Sequence, residues 1–166
     1  MVNLIGIALF AILAILQSTV VSRMPLLNGT ADLILVFIVA WSLQDRVESA
    51  WQWCLIGGIF ASFYSALPFG TYIVAYLIAT GIARLLKRRV WKAPFLAMLA
   101  ATFIGTLVVL LISMLTRVVM GVTLPILEIL NVILLPGLLL NLLLAIPVYS
   151  IMHDMAGWLY PEELEA

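Results

Sequence analysis

Five of the eight lysine and arginine residues fall within one stretch, Arg84-Leu85-Leu86-Lys87-Arg88-Arg89-Val90-Trp91-Lys92, and long apolar runs flank it on both sides. Short basic loops between membrane spans stay cytoplasmic, because the charge bias sets orientation. Arg84, Lys87, Arg88, Arg89 and Lys92 therefore act as topology residues. With this loop inside, every other segment acquires a side. Composition agrees with a membrane home. The chain is 66% hydrophobic and 10% charged, against roughly 45–50% and about 25% in soluble domains. Too few polar groups remain to cover a water-soluble globule. The expected fold class is an all-α integral membrane protein.

A spanning helix needs about 20 apolar residues, since roughly 30 Å of hydrocarbon is crossed at about 1.5 Å per residue. Six segments qualify or nearly qualify. The first, Asn3 to Ser22, lacks a basic start and a small-residue cleavage pattern and is read as a retained span. The second, Asp32 to Leu43, holds only 12 residues. It must borrow Leu26 and Leu27, thin the bilayer, or be shielded by its neighbours. Asp32 suits the N-cap of that helix. After the charged hinge at residues 44–49 come span three, Trp51 to Leu67, and a sharp turn at Pro68-Phe69-Gly70. Span four, Thr71 to Leu86, leads into the basic loop, and span five runs from Ala93-Pro94 to Val118. Span six, Pro125 to Met152, contains Pro136-Gly137 and Pro147, where kinks are expected.

Residues 1–153 thus form a single six-helix transmembrane domain, and 154–166 a short, frayed acidic tail. Both termini lie in the cytoplasm. Inner loops hold six basic residues against Arg23 and Arg117 outside. Tryptophan favours interfaces, and Trp41, Trp51, Trp53, Trp91 and Trp158 all fall at the predicted inner face.

Helices in lipid associate through small residues and hydrogen bonds. Three spans carry a small residue at every fourth position: Gly57, Ala61, Ser65; then Ala75, Ala79, Ala83; then Ala97, Ala101, Gly105. These rows predict a tight cluster of spans three, four and five. Polar residues within the spans are few. Helical rise gives Gln17 and Asn131 the same depth. Either the two pair across the first and last helices, or each pairs separately or faces a partner protein.

Ionisable groups deep in a membrane are costly and therefore informative. By helical counting none sits at mid-depth. Arg23, Asp32, Arg117 and Glu128 fall at the outer edge, and Arg117 and Glu128 flank one outer loop. His153 beside Asp154 reads as an interfacial histidine, and lone Cys54 as an inert core residue. No spacing suits a metal, and no Gly-rich loop precedes a basic residue for phosphate. The expectation is no enzyme activity, no cofactor and no nucleic-acid partner. Anionic lipid headgroups will gather at the basic loop.

Several strings together resemble one family. Leu16-Gln17-Ser18-Thr19 closes span one, Ala31-Asp32-Leu33-Ile34-Leu35 opens span two, and the stretch from Gly58 ends in Pro68-Phe69-Gly70. Near the C-terminus stands Leu140-Asn141-Leu142-Leu143-Leu144-Ala145-Ile146-Pro147-Val148-Tyr149. These are similar to the rod-shape-determining MreD family. One departure is that the family often has an aspartate late in span three, where this chain offers Ser62 and Ser65.

The resemblance implies a non-catalytic scaffold subunit of the bacterial inner membrane. It would serve the elongasome, which maintains cell shape through peptidoglycan synthesis in the cell wall. Its implied partners are MreC, RodA with its penicillin-binding transpeptidase, and the actin-like MreB. Gln17, Asp32, Asn131, Pro136 and Asn141 are then the expected packing and partner-positioning residues.

A rival from another class is the substrate-binding component of an energy-coupling-factor vitamin transporter, also a six-helix protein of this size. That family carries an Ala-x-x-x-Ala face on span one, whereas Ala8, Ala11 and Ala14 are spaced by three. A vitamin site needs convergent polar groups, for which Asn28, Asp32 and Glu128 are a thin supply near the outer face.

Overall fold

A computed structural model describes residues 2–19, 30–89, 93–122 and 129–161, with backbone alone at 130 and 132. Among these are six α-helices: α1 (Val2–Thr19), α2 (Leu33–Leu43), α3 (Ala50–Tyr64), α4 (Thr71–Arg89), α5 (Pro94–Val119) and α6 (Leu135–Leu159). A π-helical segment, Ile129–Leu134, leads into α6. Three of them, α1, α5 and α6, are long and apolar enough to cross a membrane.

The short helix is the centre. All ten residues from Ile34 to Leu43 are buried, and α2 packs against each of the other five helices. A helix apolar all round belongs in a core, so shielding by neighbours is how this chain accommodates a helix of 11 residues. The outer helices turn apolar surface outward instead. Leu139 and Leu143 on α6, Leu111 and Val119 on α5, and Leu4 and Ile15 on α1 are all exposed. In water such continuous apolar faces invite aggregation; lipid accepts them.

Where α2 ends, its neighbours close in. Trp41 and Trp53 stack with ring centroids 4.1 Å apart, and Phe10 meets Trp53 edge-on at 5.7 Å. Gly6 lets α1 lie against this stack, since a Cβ there would stand 2.9 Å from the Trp53 ring. Trp41 and Trp53 are therefore core residues rather than interface anchors, while Trp51 and Trp158 are exposed. The helix pattern alone could not separate the two pairs, because all four lie at the same end. Trp91 lies outside the described residues.

That end is tied together by the hinge at residues 44–49. Lys87 Nζ donates to the Gln44 carbonyl at 2.6 Å and pairs with Asp45 at 3.6 Å. The Gln44 side chain meets His153 Nδ1 at 3.1 Å, and Arg46 donates to the Tyr160 carbonyl. Arg84 lies over the Trp51 ring, and Arg88 and Arg89 are exposed. Lys92 lies outside the described residues.

The small-residue rows sort onto different partners. Ala75, Ala79 and Ala83 are buried, as are Ala97, Ala101 and Gly105. These two rows meet: a Cβ on Gly105 would lie 3.5 Å from Ala79 Cβ. Gly57 faces α2 instead, where a Cβ would meet Ile38 and Ile34, and Ala61 is buried. Ser65 lies beyond the end of α3 and accepts from the Leu67 amide, so it caps rather than packs. The close approach of α3 to α4 falls at Gly58, one residue along, where a Cβ would stand 2.8 Å from the Ile73 Cα.

The last span is not one helix. Pro136 has no N–H to give to an α-helical bond, and the backbone is π-helical up to Leu134 before the α register begins. Pro136 is buried in the first turn of α6, a position where its missing donor is harmless. Pro147 sits within α6, which continues to Leu159. Residues 154–159 are thus helical rather than frayed. At Pro68-Phe69-Gly70 the chain turns as its composition suggests, with Gly70 at φ +100° and Thr71 N–H bonded to the Pro68 carbonyl.

Candidate functional site

The N-terminus of a buried helix leaves amide donors that must find acceptors. In α2 three different segments supply them. Asp32 is the N-cap, and its carboxylate accepts from the Leu35 amide at 3.0 Å. Gln17, from α1, accepts the Leu33 amide at 3.0 Å and donates to the Ala31 carbonyl. Asn141, from α6, accepts the Asp32 amide at 2.7 Å and passes its own amide hydrogen to Thr106 on α5 at 2.9 Å. Tyr76, from α4, donates to the Asp32 carboxylate, 2.9 and 3.0 Å from its two oxygens. Four helices therefore converge on the start of the fifth.

This geometry replaces the expected Gln17–Asn131 pair. Gln17 is buried with its carboxamide engaged by Ala31 and Leu33, and Asn131 is exposed in the π-helical segment. The depth count assumed regular α-helix through residue 131, and the π-helical turn removes that assumption.

Asp32 also moves inward from its expected place at the outer edge. A helix of 11 residues covers only about 16 Å, and its far end is level with the hinge. Its first residue must then lie inside the bundle, beside Tyr76 rather than at the rim.

Above this cluster the short helix leaves space. A cavity of about 700 Å³ opens there, and Gln17, Asp32, Tyr72, Ser113, Arg117 and Asn141 contribute polar groups to its lining. Apolar wall comes from Leu35, Val109, Leu110, Met114 and Ile133. Asp32 is half-buried where it faces this space, and Arg117 is exposed near the end of α5. Asn28 and Glu128 lie outside the described residues.

Sequence reasoning missed Tyr76, Tyr72, Thr106 and Ser113. Tyr76 carried the available signal: a tyrosine hydroxyl five residues into an apolar helix needs a buried partner. Among the described residues no group of three or more His, Cys, Asp or Glu side chains gathers as a metal site. What the arrangement can do is hold a carboxylate, firmly oriented, against a half-open cavity.

No protein-family model matches this chain, and neither a curated protein nor a solved structure is similar to it.

Proposed function

We propose that this chain is a six-span protein of the bacterial inner membrane, both termini cytoplasmic, and a non-catalytic subunit of the MreD type. In the cell-elongation complex it would position MreC, RodA and its penicillin-binding transpeptidase, with MreB reached from the basic end. One observation carries the reading. Three of the strings on which the MreD resemblance rests, around Gln17, Asp32 and Asn141, meet at a single point in space. Strings that are loose one by one form one hydrogen-bonded unit, as expected of marks that define an architecture. The exposed apolar faces of α1, α5 and α6 offer surface for a partner's transmembrane helix.

The cavity favours a second reading, the substrate-binding component of a vitamin transporter, because about 700 Å³ is ample for a small ligand. Affinity purification of the tagged chain from bacterial membranes separates the two. The scaffold reading predicts MreC and the elongation synthases among the recovered proteins. Recovery of a transport ATPase module and a vitamin, without MreC, would overturn it.

A further inference from the structure

The cavity above α2 has a charge order that selects its contents. A helix N-terminus ordinarily attracts anions through its free amides. Here the amides of Asp32, Leu33 and Leu35 are already bound by Asn141, Gln17 and the Asp32 carboxylate. What faces the cavity at its floor is instead that carboxylate.

Its protein donors are the Leu35 amide and the Tyr76 hydroxyl. A carboxylate offers about four acceptor sites, so capacity remains on the cavity side. Among the described residues the ion pair joins Lys87 to Asp45 at the opposite end, and none reaches Asp32. A carboxylate inside an apolar bundle without a cation is costly. Arg117 supplies the opposite charge to the same cavity from the last turn of α5. The rest of the lining combines aliphatic Val109, Leu110 and Ile133 with the hydroxyls of Tyr72, Thr106 and Ser113.

We propose that this cavity binds a small amine-bearing zwitterion, its ammonium on Asp32, its anionic group toward Arg117 and its apolar part against Val109, Leu110 and Ile133. Two sources share that chemistry: a free amphipathic amino acid, or an ethanolamine phospholipid whose headgroup enters from the membrane. The site does not depend on which partner the chain serves.

The test uses the full chain in nanodiscs. In one arm, phosphatidylglycerol discs with and without phosphatidylethanolamine are compared for lipid retained by the protein in native mass spectrometry. In the other, leucine and phosphoethanolamine are titrated calorimetrically into phosphatidylglycerol discs. Binding is expected in at least one arm and identifies the source. Asp32→Asn should weaken it about tenfold or more and Arg117→Gln several-fold, and N-acetylated forms of the same probes should bind at least about tenfold more weakly, about 1.4 kcal/mol. Asparagine retains the N-cap acceptor, so the unliganded thermal midpoint of Asp32→Asn should stay near that of the parent. If that variant does not fold, Arg117→Gln, at an exposed position, and the acetylated probes still decide. Absence of binding in both arms, equal binding of acetylated and free amines, or unchanged binding in both variants overturns the proposal. Each leaves the partner reading standing, since that is judged by MreC recovery.

Discussion

Asn141 and Asn131 are the same residue type on one stretch of chain, yet they should respond oppositely to truncation. Asn141 is buried with both ends of its carboxamide engaged, so Asn141→Ala leaves the Asp32 amide without its acceptor. The expected loss is about 1–3 kcal/mol, read from SDS unfolding in mixed micelles. Asn131 is exposed, and Asn131→Ala should change stability by no more than about 0.5 kcal/mol. Sequence made both visible because an amide stands out in an apolar run. It could not rank them, because solvent or lipid exposure depends on the helix phase, and a π-helical turn shifts that phase between the two positions. Asp32 was legible as an N-cap for the same reason. Its inward position was not, because a short helix betrays its length but not the level at which it begins.

At the level of helices, small residues fix how closely backbones approach. Gly58→Ala puts a Cβ 2.8 Å from the Ile73 Cα, a backbone atom that cannot step aside. Overpacking of this kind costs about 1–3 kcal/mol, and the same unfolding titration should show it. Gly57→Ala meets side-chain atoms rather than backbone, Ile38 Cδ1 at 2.7 Å and Ile34 Cγ2 at 3.0 Å, and should cost less. The every-fourth-residue rows pointed to α4 and α5, where Ala79 and Gly105 do come together. They misplaced the α3 contact by one residue, because Gly57 and Gly58 are adjacent and only the packed structure says which faces which helix. The tryptophans were ambiguous for a related reason. A ring at a helix end can lie in the interface or in the core, and Trp41 and Trp53 found each other.

For the whole molecule, the charge distribution makes a claim that can be checked from outside. In spheroplasts, a cysteine replacing exposed Arg88 should react with an impermeant maleimide only after permeabilisation, while one replacing exposed Val122 should react at once. Cys54 is buried and should stay silent. The reverse pattern would invert the proposed topology. Stability and architecture meet at the start of α2, where Gln17 and Asn141 hold neighbouring amides of one short helix. A double-mutant cycle of Gln17→Ala and Asn141→Ala addresses that joint grip most directly. If both side chains anchor the same element, the double variant should lose less than the sum of the singles by about 0.5–3 kcal/mol. Losses that add to within about 0.5 kcal/mol would mean the segments act independently, contradicting the bundle organised around its shortest helix.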